Sequence, residues 1–162
     1  MKLKNIFVSL LTVFLLFACG CEKTVKSEAD TCVILVSCKS VLENRDMAGE
    51  NLLSALPENG IILDEFETEF SEGENAFDVL YKALNENNIH FEYSKAPIYN
   101  SIYIEGIANL YEFDLGELSG WLYRVNGEFP EYGCSEYIVK PGDRIEFLYT
   151  CSRGEDLETE IN

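Results

Sequence analysis

The sequence predicts an α+β domain in which one main helix packs on one face of a mixed β-sheet. Three observations carry this expectation. A single segment near residues 75–87 has clear helical periodicity, β-rich runs precede and follow it, and turn signals separate the extended runs of the second half.

Thr31–Ser37 (TCVILVS) is rich in β-branched residues and reads as the first strand. Lys39–Asn59 has only the weak apolar signals Val41-Leu42 and Leu52-Leu53-Ala55-Leu56, which suit a loop with a short helix, and Pro57-Glu58-Asn59-Gly60 reads as a turn. Ile61–Phe70 is a second extended run in which Phe66, Thr68 and Phe70 alternate with acids. The helix follows. Asn75 is a good N-cap with Asp78 three residues on, Phe77, Leu80, Ala83 and Leu84 share one face, and Asn87-Asn88 ends it. Tyr99–Ile107 and Gly120–Val125 (GWLYRV) are strands, the latter with Trp121, Tyr123 and Val125 on one side, and Asn126-Gly127 is a tight-turn signal. Ser135–Val139 and Arg144–Tyr149 flank Lys140-Pro141-Gly142-Asp143 and read as a C-terminal β-hairpin, with Ile145, Phe147 and Tyr149 on one face. Residues 152–162 are acidic and read as a frayed tail.

Upstream of the domain, Lys2 and Lys4 precede an apolar run, Ile6–Leu16, and then Leu16-Phe17-Ala18-Cys19. A basic flank, a short apolar segment and a small residue make a secretory signal, too short to span a bilayer as a helix. The Leu-x-Ala-Cys ending resembles a bacterial lipobox, which implies removal of residues 1–18 and lipidation of Cys19. The expected organisation is then a signal at 1–18, a tether at 19–30, a domain at 31–151 and an acidic tail at 152–162. The expected location is the outer side of a bacterial cytoplasmic membrane, lipid-anchored at the cell surface. Loss of the signal leaves 10 Lys and Arg against 29 Asp and Glu, a formal charge of −19. Such a surface repels nucleic acid and anionic headgroups and excludes both as partners, leaving the lipid anchor as the expected membrane contact.

Outside the membrane Cys32, Cys38, Cys134 and Cys151 can form disulfides. Cys32 and Cys38 sit six residues apart on one extended run, about 20 Å, whereas a bridge needs Cα atoms within about 7 Å. If the hairpin turns near Pro141-Gly142, Cys134 and Cys151 lie opposite each other, and their bridge would stabilise the fold by roughly 3 kcal/mol. A Cys38–Cys151 bridge is the alternative, should the first strand run parallel to the last.

Ser119-Gly120-Trp121-Leu122-Tyr123-Arg124-Val125-Asn126-Gly127 and Lys140-Pro141-Gly142-Asp143-Arg144-Ile145-Glu146-Phe147-Leu148-Tyr149-Thr150 resemble the two signature blocks of the transcobalamin-like C-terminal domain family. Its bacterial members are a domain of unknown function in secreted proteins and lipoproteins. Glu72–Leu80 is similar to the start of the family's helix, and the resemblance runs from about Val33 to Thr150. It implies a β-grasp-like sheet and, by analogy with vertebrate cobalamin carriers, a corrinoid or other planar ligand. Two departures stand out: the chain has no room for the carriers' helical barrel, which forms the other half of their site, and Phe147 occupies a position where the family often has Trp.

The residues point to binding rather than catalysis, and the expectation is a non-enzyme without a resident cofactor. His90 is the one histidine, with no nucleophile motif around it, and no metal-ligand spacing occurs. Imidazole binds cobalt well, so His90 is chemically suited to a corrinoid's lower axial position. Tyr93, Tyr99, Tyr103, Tyr111, Trp121, Tyr123 and Tyr132 crowd about forty residues and offer rigid apolar area with polar tips. The expected ligand-binding residues are Trp121, Tyr123, Tyr99 and Tyr103, with Asn126 at the adjoining turn. The partner is then a small planar ligand or an envelope protein bound by a surface-interaction module; divalent cations on the acidic surface are a third expectation.

Overall fold

The computed structural model describes residues 29–96 and 101–157. The strands are β1 (Asp30–Ser37), β2 (Ile61–Phe70), β3 (Phe91–Ala96), β4 (Ser101–Ile107), β5 (Leu110–Tyr111), β6 (Gly120–Val125) and β7 (Arg144–Thr150). The helices are α1 (Lys39–Glu43), α2 (Glu50–Ala55) and α3 (Ala76–Glu86), with a 3-10 turn at Arg45–Met47. The fold is mixed α+β, as the sequence predicts. One sheet has the order β2-β1-β7-β6 and the other the order β3-β4-β5.

The four-stranded sheet is built around a parallel pair. β1 runs parallel to β7, with Ile34 beside Ile145 and Val36 beside Phe147. β2 and β6 close the two sides in antiparallel register. Period-2 alternation puts Cys32, Ile34 and Val36 of β1 on the same face as Ile145, Phe147 and Tyr149 of β7, all buried. The helix α3 lays Val79, Leu80, Ala83 and Leu84 on this face, all fully buried. Its start is the capping box expected from the sequence: Asp78 N donates to Asn75 Oδ1 and Asn75 N donates to Asp78 Oδ2, both at 3.0 Å. The second sheet completes this core with Ile104, Ile107 and Leu110.

The C-terminal antiparallel pair is present, but its members are β6 and β7, not 135–139 and 144–149. Ile138 makes only an isolated bridge, to Asn75. The reason is that both edges of β7 are already occupied, one by β1 and the other by β6. The Lys140–Asp143 turn does form, with Gly142 at φ +82° and Asp143 N donating to Lys140 O at 3.1 Å. It docks on β1 instead of folding back: Gly142 N donates to Thr31 O and Val33 N donates to Asp143 O, both at 2.8 Å.

This topology removes the ground for a Cys134–Cys151 bridge and meets the condition set for the alternative Cys38–Cys151 bridge, since β1 runs parallel to β7. Cys134 lies in the loop between β6 and β7, where its carbonyl accepts from Phe77 N, and Cys151 follows the end of β7. Without the hairpin they are not brought opposite each other, and Cys32, Cys38, Cys134 and Cys151 are all free, buried thiols. Residues 152–157 also differ from the frayed tail expected. Leu157 is buried against Leu35 and Leu148 on the sheet face opposite α3. Asp156 fastens the segment by accepting from Thr150 Oγ1 and, at 2.7 Å, from Cys151 N. Cys19, the signal and residues 19–28 of the expected tether lie outside the described residues, as does Tyr99, whereas Asp30, the tether's expected last residue, begins β1.

Candidate ligand-binding site

On β6, Trp121 and Tyr123 face the core side, directly across from Tyr149 and Phe147 of β7. Ring contacts and hydrogen bonds hold these aromatics in place. The Trp121 ring meets Tyr149 edge-on at 5.3 Å, and its Nε1 donates to Leu110 O at 3.0 Å. Tyr149, fully buried, donates its hydroxyl to Tyr111 O at 2.8 Å. Together these bonds tie the larger sheet to β5 of the smaller one. Tyr123 stacks on Phe147 at 5.9 Å and donates its hydroxyl to Tyr132 O at 2.8 Å, which pins the loop after β6.

That loop makes the outer wall. Gly133 passes so close to β4 that a Cβ there would stand 1.7 Å from Ser101 Oγ, so only glycine fits. Ser135 Oγ accepts from Ile102 N at 2.9 Å and bonds to Ser101 Oγ at 3.1 Å. The result is a cavity of about 480 Å³ between β4, β6, the loop and the segment after β7. Its apolar lining includes Ile104, Trp121, Tyr123, Phe129, Tyr132 and Phe147. Burial raises the Tyr123 hydroxyl above its ordinary range and pushes the Cys134 thiol up to about 11. At Tyr103 burial acts first and the hydrogen bond to Glu112 adds to it, again upward. The wall is therefore neutral at ordinary pH, with Arg153 and Glu155 as the charged groups of its lining. A Cys134 thiol so raised is a poor nucleophile. The arrangement suits apolar contact and stacking, with a few hydrogen bonds to fix orientation.

Of the residues expected from the sequence, Trp121, Tyr123 and Tyr103 come together in the lining. Trp121 is 7% exposed and presents little area to a ligand, whereas Tyr103 is 41% exposed. Asn126 is not among the lining residues. Its Nδ2 donates to Asp143 Oδ1 at 2.8 Å and its Oδ1 accepts from Arg144 N at 2.9 Å. His90 is also elsewhere, exposed, with Nε2 3.1 Å from Glu92 Oε1. Phe129, Pro130 and Gly133 were not anticipated. The signal for them was an aromatic-proline pair and a glycine in a segment with neither helical nor strand periodicity. Among the described residues, no group of three His, Cys, Asp or Glu side chains is gathered to hold a metal.

The two sequence blocks thus form one clasped unit, Asn126 of the first gripping Asp143 and Arg144 of the second. Residues 73–150 match the family model Domain of unknown function (DUF4430). The DUF4430 match takes in α3 and β3 to β7, while β1 and β2 lie before it. The transcobalamin-like resemblance holds at the level of fold. Haptocorrin, in a crystal structure of its complex with Cbi, is similar with a TM-score of 0.54 and 17% identity, over 76% of this chain and 26% of that one. The chain therefore spans about a quarter of haptocorrin's length. A proposed metal-binding protein from Ruminococcus gnavus ATCC 29149 is aligned over 75% of this chain and 96% of its own, at 16% identity and a TM-score of 0.42. Among curated proteins, no sequence matches.

Proposed function

We propose that this protein is a small-ligand-binding module, held outside a bacterial cytoplasmic membrane by a lipid on Cys19, and that the aromatic cavity takes part of a flat, planar ligand. The observation that carries the reading is the cavity itself, about 480 Å³, with neutral aromatic walls. Its size falls within the range of small-ligand sites. A corrinoid is the first candidate, on analogy with haptocorrin's complex with Cbi. The cavity is too small to enclose a whole corrin ring with its side chains. Such a ligand would rest one edge in it and leave the rest to solvent or to a second protein. With half of the contact surface, affinity is expected near micromolar, about −8 kcal/mol.

Calorimetry and absorbance titration with cobinamide and cobalamin test this. The expected result is a saturable signal that Tyr132→Ala weakens roughly tenfold, about 1.4 kcal/mol. Tyr132 is 49% exposed, so its truncation leaves the core alone. No heat and no spectral change at millimolar ligand would reject the corrinoid.

A second reading, an envelope-protein partner, is favoured by a separate aromatic patch on α3 and β3. Phe77, Tyr81, Phe91 and Tyr93 contact one another there, and Tyr81 and Tyr93 remain 45% and 42% exposed. Cross-links from cells that map to Tyr81 and Tyr93, together with a silent cobinamide titration, would move the assignment to this reading.

A further inference from the structure

The sheet face opposite α3 holds a second cavity, of about 420 Å³ and very different chemistry. Arg124 of β6 and Glu146 of β7 are direct cross-strand partners there, 8% and 5% exposed. Glu146 takes up one edge of the guanidinium: Arg124 Nε is 2.5 Å from Oε2 and Nη2 is 3.2 Å from Oε1. The other terminal nitrogen, Nη1, is buried and has no hydrogen-bond partner among the described residues. A buried guanidinium N–H without an acceptor is costly, and natural folds seldom leave one unless something fills the role.

Three cationic side chains gather here, in a chain whose formal charge is −17. Lys39, Arg124 and Arg144 line the cavity with Ser37, against the two acids Glu43 and Glu146. Glu146 is shared, since Arg144 Nε also lies 3.4 Å from its Oε1, while Arg144 Nη1 pairs with Glu65 at 2.7 Å. Lys39 has no such pairing among the described residues and is exposed at the mouth. Ser37 Oγ accepts from Lys39 N at 3.3 Å, which leaves its own proton to donate.

We propose that this cavity is a site for a small oxyanion, a carboxylate or phosphate group. Arg124 Nη1 donates to the anion from the floor, Ser37 Oγ from the wall, and the Lys39 ammonium supplies countercharge at the mouth. The fixed fork of arginine suits such groups. Because the sheet separates this cavity from the aromatic one, the site is independent of the function proposed above.

Calorimetric and melting titrations of the purified protein with inorganic phosphate and with sodium acetate, at constant ionic strength set by chloride, test the proposal. At least one of the two is expected to bind saturably and to raise the melting temperature beyond the chloride control. Phosphate alone would indicate a phosphate-bearing ligand, acetate alone a carboxylate. Lys39→Gln should weaken binding roughly fivefold, and Arg124→Lys, which keeps the charge but loses the fork, should weaken it at least as much. Should Arg124→Lys fail to fold, the exposed Lys39→Gln decides by itself. No saturable effect of either anion over chloride, or an affinity unchanged in Lys39→Gln, would overturn the proposal.

Discussion

Replacing Asn126 by glycine separates a structural clasp from a ligand contact. Asn126 sits at φ +52°, and Gly127 follows at +86°. Val125 and Glu128 exchange hydrogen bonds of 2.8 and 3.0 Å across them. Glycine keeps that turn without strain but removes the side-chain bonds to Asp143 and Arg144 N. The first goes to a carboxylate that is 5% exposed and is worth about 2 kcal/mol, the second about 1 kcal/mol, giving a loss of about 3 kcal/mol. Alanine loses the same bonds and adds about 1 kcal/mol for its left-handed backbone. With a urea slope of about 2 kcal/mol per molar, the midpoint should fall by about 1.5 M for Asn126→Gly and about 2 M for Asn126→Ala. Fluorescence of Trp121, the one tryptophan, reports the transition because its ring is packed on Tyr149. If Asn126→Gly unfolds within about 0.3 M of the wild type, less than about 0.6 kcal/mol at that slope, the clasp is not what holds the two blocks together.

Two further outcomes are expected. Asp156 is partly buried, which by itself raises its carboxyl, but the bonds it accepts from Thr150, Cys151 N and Ser152 win and hold it below its ordinary value of 3.8. Its contribution is therefore complete above about pH 4 and is lost as pH falls through the lower folded-state value, so the difference in melting temperature between wild type and Asp156→Asn should be largest near neutrality and close in acid. Burial also pushes Cys32, Cys38, Cys134 and Cys151 up to about 11. At pH 8 these four should resist a thiol reagent in the native protein and react once it is unfolded in urea without reductant; a pair that stays unreactive there would be a disulfide.

Much of the local structure was legible in the sequence because local chemistry decides it. The Asn75–Asp78 box, the Asn126-Gly127 turn and the first two strands depend on neighbours a few residues away. Strand partners do not. Nothing in Ser135–Val139 reveals that both edges of β7 are already taken, so a plausible hairpin was read where a docked turn stands. The strand β3 was missed because Phe91–Ala96 mixes charge and aromatics with no strict alternation, and only pairing with β4 makes it extended. The candidate site was half legible. Aromatic enrichment found Trp121, Tyr123 and Tyr103, but not that the first is mostly core, nor that Asn126 serves the turn. The far-face cavity was invisible, since Lys39, Arg124 and Arg144 are distant in sequence and only the sheet gathers them.

The parallel pairing of β1 with β7 has a consequence for how the molecule is assembled. Contacts such as Ser40 with Tyr149 join residues 109 positions apart, and the centre of the sheet pairs β1 with β7, which a ribosome makes only after the other six strands. Until Arg144–Thr150 is in place, β1 and β6 have no common neighbour in the sheet. The four-stranded sheet therefore closes only after β1 to β6 have been made, through pairing between segments far apart in the chain.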